Sequence, residues 1–140
     1  MPRIDLAENA DTLQECAHVM VQLRPHLLPP EFVIRAMRQM RDGYRVAALR
    51  EDNRVLAVAG FRILENLAWG RFLYIDDLVT DEEARSQGYG AQLLDWLKDY
   101  AREQGCAQLH LDSGAQRHDA HRFYFAQRMI IGGYHFALEL

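Results

Sequence analysis

A segment containing two glycines, Arg85-Ser86-Gln87-Gly88-Tyr89-Gly90, is the strongest local candidate for a binding site. It follows an apolar run and precedes a run of helical periodicity, so it is predicted to join a buried strand to a helix. Glycines let backbone N–H groups approach a ligand, and the first turn of a helix leaves several N–H groups unpaired and favours anions. The segment therefore predicts a diphosphate site to which Arg85 adds a positive charge, although an isolated G-x-G is more often a simple turn. It is not a dinucleotide fingerprint, because Leu93 and Leu94 stand where a third glycine is needed.

A pair of neighbouring carboxylates, Asp76-Asp77, lies inside an apolar run that is predicted to be a central strand. Successive residues of a strand face opposite sides, so at least one carboxylate points into a covered face. A buried carboxylate needs a hydrogen-bond or arginine partner, or it acts as a general base with a raised pKa. The sequence leaves both interpretations open. Asp76 shares a side of the strand with Tyr74 and Leu78, which slightly favours it as the base, and a bulge would exchange the two aspartates.

A third candidate is Tyr124, in the segment Ala120-His121-Arg122-Phe123-Tyr124. Its neighbour Phe123 is a natural core residue, and a helical tyrosine most often packs with its hydroxyl at the edge of the core. His118 and His121 lie three residues apart on the same predicted helix. No HExxH or Cys–His spacing accompanies them, so no metal is expected.

A series of strands and helices must position these candidates. We predict where each element begins and ends from the periodicity of apolar residues and from turn residues. Thr12 with Glu15 fits a capping box at the first helix, and Val33, Met37 and Met40 are predicted to face inward on the second. The order of elements predicts an α/β fold (an α+β arrangement) in which helices cover the faces of a mixed sheet. The predicted strands are 3–6, 44–50, 55–64, 71–80, 108–112 and 134–140, and the predicted helices begin near 12, cover 31–40, lie between 90 and 105, and cover 118–127.

Composition narrows the class of protein. The chain has 140 residues, 49% of them apolar and 26% charged, which predicts one ordinary globular domain over residues 1–140. A formal charge of −4 argues against non-specific nucleic-acid binding. No apolar run approaches the roughly 20 residues of a membrane span, and no signal-peptide core follows Met1. Two cysteines without a CxxC motif predict a reducing cytoplasm.

The positions of the lysine and of the serines argue against two further chemistries. The one lysine, Lys98, lies beyond the glycine segment, which argues against a Walker phosphate loop. Neither Ser86 nor Ser113 lies in a G-x-S-x-G motif, which argues against a serine hydrolase.

Three segments together resemble the GNAT-type N-acetyltransferase superfamily. They are Leu73-Tyr74-Ile75-Asp76-Asp77-Leu78-Val79-Thr80, Arg85-x-x-Gly88-x-Gly90 and Ala120-x-x-Phe123-Tyr124, and the resemblance extends over nearly the whole chain. It implies a central mixed β-sheet flanked by helices on both faces, with acetyl-CoA as the donor. The chain departs from the family pattern at Arg117, where asparagine is frequent, and at Arg128-Met129, where Gly-Phe is common.

The resemblance also implies roles for individual residues. It places the CoA diphosphate on the backbone of residues 87–91 and the pantetheine arm along residues 78–80, with the N–H near Leu78 polarising the thioester carbonyl. It implies that Tyr124 protonates the departing thiolate, and that Asp76 or Asp77 accepts the proton of the amine, directly or through water. The implied cofactor-binding residues are Leu78, Val79, Thr80, Arg85, Ser86, Gln87, Gly88, Tyr89, Gly90 and Ala91.

The sequence thus predicts a cytoplasmic enzyme that moves an acetyl group from acetyl-CoA to a primary amine of a small molecule, peptide or protein by direct attack. A CoA-binding regulatory module without turnover is the alternative, and such a module needs neither Tyr124 nor the aspartates. An enzyme acting on charged tRNA is disfavoured by the net charge of −4, which instead favours a small or cationic amine or a basic peptide end. Edge strands near the C-terminus are compatible with a homodimer.

Overall fold

The computed structural model describes all residues from 1 to 140 and confirms the predicted α+β class, with five strands and four helices. A 3-10 turn, Glu82–Ala84, precedes the third helix. The strands are β1 (Arg3–Leu6), β2 (Arg45–Glu51), β3 (Arg54–Asn66), β4 (Gly70–Thr80) and β5 (Gln108–Leu111), and the helices are α1 (Ala10–Leu23), α2 (Pro29–Met40), α3 (Tyr89–Glu103) and α4 (His118–Ala126).

The strands form one sheet in the order β1-β2-β3-β4-β5, and each pair from β1 to β4 is antiparallel. The β2–β3 hairpin turns through Asp52 and Asn53, whose φ angles of +51° and +67° suit the short turns that match the twist of paired strands. Asp and Asn tolerate this left-handed region better than other residues with a Cβ, which explains their presence there.

One extra residue interrupts the pairing of β3 with β4. Gly60 lies opposite Asp77, but Phe61 lies opposite Ile75, so Asp76 is an additional residue on β4. This is a β-bulge, which bends the strand and re-aims its side chains. The strict alternation expected for residues 76 and 77 therefore fails at this point.

Helices cover both faces of the sheet, as predicted. Val58 belongs to the core cluster that includes residues of α1 and α2. Phe61, three residues further along β3 and therefore on the opposite face, meets the rings of Trp96 and Tyr100 on α3 at centroid distances of 6.4 and 5.3 Å. Their edge-on geometry is the one that aromatic pairs favour.

Three local predictions were wrong. The capping residue of α1 is Asn9, which accepts a hydrogen bond from Thr12 N–H, so the helix starts earlier than predicted and Thr12 lies in its first turn. On α2, Val33 and Met40 pack against the core as predicted, but Met37 is 40% exposed and Phe32 is buried in its place. The final strand is absent, since residues 134–140 have no regular secondary structure.

The chain divides into two compact units, Met1–His110 and Leu111–Leu140. The first contains β1 to β4, α1 to α3 and most of β5. The second contains α4, none of whose residues is fully buried, and the segment that follows it. None of the helices is both long and apolar enough to cross a membrane.

A buried carboxylate fixes the loop that leaves β4. Asp81 is 3% exposed and accepts hydrogen bonds from Arg54 Nη2 at 3.0 Å and from Gln22 Nε2 at 3.3 Å. Gln22 Oε1 in turn accepts from the N–H of Glu82 at 2.9 Å. Burial alone would raise the pKa of Asp81, but these donors and the N–H of Glu83 outweigh it and hold the pKa below its usual value.

We expect Asp81→Asn to lower the free energy of unfolding by about 2 kcal/mol at pH 7, because a buried, charge-assisted network is broken. A carboxyl whose pKa is depressed by folding contributes its full stability above the unfolded pKa of about 3.9, and loses it as the pH falls through the folded pKa. The difference between variant and wild type in urea unfolding should therefore shrink below pH 4. Asp99→Asn, at an exposed pair with Arg102, is the control and should change stability little. An equal loss in both variants, or a loss independent of pH, would contradict this account.

Candidate active site

The turn that precedes α3 exposes backbone N–H groups. Ser86 and Gly88 have φ angles of +65° and +83°, and Gly88 is the N-cap residue of the helix. The first hydrogen bond of the helix runs from Gln92 N–H to the carbonyl of Gly88 at 3.0 Å. The N–H groups of residues 89–91 precede that bond and lack intrahelical acceptors. They lie at the positive end of a helix of 15 residues, where an anion binds favourably.

The chain itself does not fill this site. The first turn of α3 contains no acidic residue, and no side chain caps it. The other helices differ: α1 has Asn9 and Asp11, α2 has Glu31, and α4 has Asp119 at the corresponding ends. A helix start left without an anion of its own is suited to bind an external one.

The residues expected along the pantetheine arm form the end of β4. Leu78, Val79 and Thr80 lie opposite Ala59, Val58 and Ala57 of β3. Val79 is buried and belongs to the core cluster, whereas Leu78 and Thr80 are half-buried. The Val79 side chain is thus committed to the core, and only the backbone of this residue remains for contact with a ligand.

Both aspartates line one cavity of about 370 Å³ in the first unit. The bulge at Asp76 explains why two consecutive residues share it. Their side chains are partly open, with 23% of Asp76 and 12% of Asp77 exposed. The other lining residues are Met20, Arg24, His26, Leu27, Phe32, Arg35, Ala36, Gln39 and Tyr44.

Asp77 is held by two donors on its two oxygens. Arg24 Nε donates to Oδ1 at 2.9 Å, and the Tyr44 hydroxyl donates to Oδ2 at 2.7 Å. A Cβ at Gly60, the residue opposite Asp77 on β3, would collide with both the Tyr44 hydroxyl and Asp77 Oδ2. The close approach of these groups therefore requires glycine at position 60.

Asp76 forms a bidentate ion pair with Arg62. Arg62 Nε donates to Oδ1 at 3.1 Å and to Oδ2 at 2.9 Å, and Nη2 lies 2.8 Å from Oδ2 and donates to Gln39 Oε1 at 2.6 Å. Burial raises the pKa of the Asp76 carboxyl, while the hydrogen bonds and charge of Arg62 oppose that rise. Arg24 adds a hydrogen bond to the Asp76 carbonyl at 2.9 Å, so one arginine ties both aspartates to the end of α1.

Burial also raises the pKa of Tyr44 well above its usual value, and the neighbouring Asp77 carboxylate adds to the effect. Tyr44 therefore stays protonated and continues to donate to Asp77. Its ring faces the Arg62 guanidinium, which lies 5.0 Å from the ring centroid.

Sequence reasoning missed Arg24, Tyr44 and Arg62. The available signal was the aspartate pair itself, since carboxylates in a covered strand require nearby donors. Arg62 lies opposite Tyr74 on the partner strand of the hairpin, so a register prediction would have placed it close to Asp76. Arg24 is separated from Asp77 by 53 residues, and only the tertiary structure brings them together.

Tyr124 lies on α4 in the second unit and is half-buried. Burial raises the pKa of its hydroxyl, against the opposing charge of Arg117. The Phe123 and Tyr124 rings are 5.5 Å apart and nearly edge-on. On the same unit, His121 Nε2 lies 2.8 Å from the carbonyl of Gly114. The structure shows no group of three His, Cys, Asp or Glu side chains placed to hold a metal ion.

Comparison with known proteins identifies the family. The model of the acetyltransferase (GNAT) family matches residues 10–128. The chain therefore belongs to the GNAT family, as the three sequence segments predicted.

Two relatives are named N-acetyltransferases. The uncharacterized N-acetyltransferase YhdJ of Bacillus subtilis (strain 168) is 43% identical over 84 residues, which cover 60% of this chain and 59% of YhdJ. The aminoalkylphosphonate N-acetyltransferase of Salmonella typhimurium is 40% identical over 53 residues, which cover 38% of this chain and 34% of that enzyme. The chain thus matches little more than half the length of the first relative and about a third of the second.

Solved structures confirm the fold. An aminoglycoside N-acetyltransferase in complex with CoA superposes with a TM-score of 0.86 at 12% identity, over 100% of this chain and 95% of that one. At such low identity the likeness concerns the fold alone.

Proposed function

We propose that this protein is an acetyl-CoA-dependent N-acetyltransferase that transfers an acetyl group directly to a primary amine. The observation that carries the proposal is the uncapped start of α3 behind the Arg85-to-Gly90 turn, in a chain that belongs to the GNAT family. Membership of the GNAT family favours acetyl transfer as the chemistry, and the residues of the site supply the chemical groups that this reaction needs.

The donor binds through its diphosphate at the turn. The N–H groups of residues 87–91 donate to the phosphate oxygens, and the exposed Arg85 adds charge. The pantetheine arm then follows the backbone of residues 78–80 at the end of β4. The N–H of Leu78 donates to the thioester carbonyl, where negative charge develops as the amine attacks.

We expect Ala91→Asp to abolish acetyl-CoA binding without unfolding the protein. Position 91 is the third residue of α3, where an acid stabilises a helix but repels a diphosphate. Isothermal calorimetry should detect acetyl-CoA at micromolar concentration with the wild type, and should lose at least tenfold in affinity with the variant. Asp95→Ala, one turn further along α3 and exposed, is the matched control. Absence of heat with the wild type at millimolar acetyl-CoA would refute the donor assignment.

Tyr124 supplies the proton for the leaving group. The amine nitrogen forms a bond to the carbonyl carbon, the carbon–sulfur bond breaks, and the thiolate takes the phenolic proton. For unperturbed groups this transfer costs about 2 kcal/mol, since a thiol titrates about 1.5 units below a tyrosine. Burial raises the pKa of Tyr124, so the proton is present at neutral pH, but the same rise makes its transfer to the thiolate cost more.

Tyr124→Phe should lower kcat by at least tenfold while the Kd for acetyl-CoA changes less than threefold, because the hydroxyl acts on the leaving group rather than on the phosphates. Steady-state CoA release and calorimetry measure the two quantities. Tyr134→Phe removes a hydroxyl at an exposed position and serves as the control. An unchanged kcat in Tyr124→Phe would remove this residue from the acid role, and CoA binding without turnover in the wild type would favour a regulatory module instead.

The acceptor enters the cavity that the aspartates line. Its volume lies within the range of small-molecule sites, and arginines at positions 24 and 35 line it together with the two carboxylates. This mixture of charges suits a small amine that also carries an anionic group, in the manner of the substrate named for the Salmonella relative. Asp76, the more exposed carboxylate with the raised pKa, accepts the amine proton directly or through water.

Asp76→Asn should remove the acidic limb of the kcat/KM–pH profile measured with an aminoalkylphosphonate, because the base is lost. In the wild type, activity should fall as the pH drops through the raised pKa of Asp76 and that carboxylate becomes protonated. Asp77→Asn is the matched variant and should lower the rate while leaving the limb in place. If both variants keep the limb, neither aspartate is the base.

We place the reaction in the cytoplasm. Both cysteines are free, and burial raises the pKa of the Cys16 thiol to about 12, so this thiol is inert at neutral pH. A chain with one buried thiol and no disulfide suits a reducing compartment.

A further inference from the structure

One arginine of the cavity that Asp76 and Asp77 line has a guanidinium without a hydrogen bond. Arg24 donates to the Asp77 carboxylate and to the Asp76 carbonyl. Arg62 donates to the Asp76 carboxylate. Arg35, on α2, also lines the cavity, but its guanidinium forms only one ion pair, which at 3.7 Å is too long for a hydrogen bond. Arg35 is therefore the arginine of this cavity that is available to a ligand.

The ion pair of Arg35 is formed with Glu31 and is weak. The two side chains are 50% and 43% exposed. An exposed pair of this kind contributes little, so it does not prevent Arg35 from binding another anion. Glu31 also has a second role, because its Oε1 accepts a hydrogen bond from the N–H of Leu28 at the start of α2. Glu31 does not line the cavity, whereas Arg35 does.

The charges of the cavity do not balance. Asp76 is paired with Arg62, and Asp77 is paired with Arg24. With both carboxylates ionised these four charges cancel, and Arg35 leaves an excess of positive charge on the wall that α2 provides. An acceptor with a second ammonium group would add to this excess. An acceptor with an oxyanion would cancel it.

The position of Arg35 on α2 indicates how far apart the two charged ends of such an acceptor lie. Arg35 and Gln39 are four residues apart on the same face, which corresponds to about 6 Å along the helix axis. Gln39 accepts a hydrogen bond from Arg62, which binds Asp76. A ligand that extends from Asp76 to Arg35 therefore spans roughly one helical turn, which a chain of a few carbon atoms can bridge.

We propose that Arg35 selects the acceptor by binding an oxyanion, a phosphonate or a carboxylate, at the end of the molecule opposite its amine. The planar guanidinium offers parallel N–H groups that match either anion. Binding at Arg35 leaves the ion pairs of Asp76 and Asp77 intact. Arg35 is thus a specificity-determining residue of the acceptor site. This role rests on the proposed function, whereas the anion site itself can be measured without catalysis.

Three acceptors of the same chain length test the role of Arg35. Aminoethylphosphonate and β-alanine carry an oxyanion, and aminopropanol has a neutral hydroxyl in its place. In the wild type, kcat/KM for the better anionic acceptor should exceed that for aminopropanol by at least tenfold, and this acceptor identifies the anion. Arg35→Gln should reduce the ratio below threefold, mainly through KM, because the anion lies away from the reacting atoms. Arg38→Gln, exposed on α2 but outside the cavity, is the matched control and should keep the wild-type ratio.

Reversal of the charge at the same position separates specificity from a structural role. Arg35→Glu should raise kcat/KM for diaminopropane relative to aminopropanol by at least fivefold over the wild-type ratio, because the second ammonium group then meets a carboxylate. A structural role of Arg35 would instead lower activity toward all acceptors alike. Such a uniform loss, or an unchanged ratio in Arg35→Gln, would overturn the proposal.

Binding of ethylphosphonate, which has the anion but no amine, distinguishes failure of this proposal from failure of the proposed function. The titration uses Ala91→Asp, which removes the competing anion site proposed at the start of α3, and follows the backbone amide signals of the cavity residues by NMR. Adding Arg35→Gln should weaken binding at least fivefold, and adding Arg38→Gln should leave it unchanged.

Each failure has its own signature. If the wild type acetylates no amine but ethylphosphonate binds through Arg35, the proposed function is refuted and the anion site stands. If the wild type acetylates amines with or without an anion equally well, and binding of ethylphosphonate does not depend on Arg35, the proposed function stands and the role of Arg35 is refuted.

Discussion

One additional residue in β4 determines the geometry of the cavity that Asp76 and Asp77 line. With Asp76 inserted between the positions that face Gly60 and Phe61, two consecutive carboxylates line the same cavity instead of opposite faces of the sheet. Two adjacent negative charges in a half-buried place repel each other and require cations. Arg62 from β3 and Arg24 from the end of α1 provide them, and Gly60 leaves the space in which Asp77 meets its donors.

The same strand leads directly into the anion site. β4 ends at Thr80, and the buried Asp81 then fixes the loop through Arg54 and Gln22 before α3 begins at Tyr89. Within about fifteen residues the chain thus supplies the carboxylates, a backbone edge and the unpaired N–H groups. α1 stabilises both ends of this stretch, since Gln22 and Arg24 lie on or just after its last turn. A displacement of α1 would therefore affect the carboxylates and the loop before α3 together.

The sequence predicted those parts of the site that depend on neighbouring residues better than those that depend on contacts between distant residues. The Arg85-to-Gly90 segment specifies its own backbone, because glycine is suited to the left-handed conformation at position 88 and the helical periodicity begins at once. The predicted ends of the strands agree with the structure within about two residues, because they too depend on neighbouring residues. The bulge, by contrast, depends on how β3 and β4 are paired, and the partners of the aspartates come from residues 14 to 53 positions away. For residues 134–140 the alternation predicted a strand, but a strand forms only where the edge of a sheet is available for pairing, which alternation by itself does not provide.

The two interpretations of the aspartate pair, structural ion pair and general base, prove to be compatible. A general base must be ionised before the amine attacks, yet burial alone would keep a carboxyl in this place protonated to higher pH. The guanidinium of Arg62 opposes that effect and favours the ionised form of Asp76. The same ion pair lowers the proton affinity of the Asp76 carboxylate, which makes Asp76 a weaker base. Asp76 is partly exposed, and its pKa remains raised in spite of Arg62, so the carboxylate is more basic than one in water. Asp77 is less exposed than Asp76 and is bound by Arg24 and by the Tyr44 hydroxyl, which suits it to hold the cavity wall.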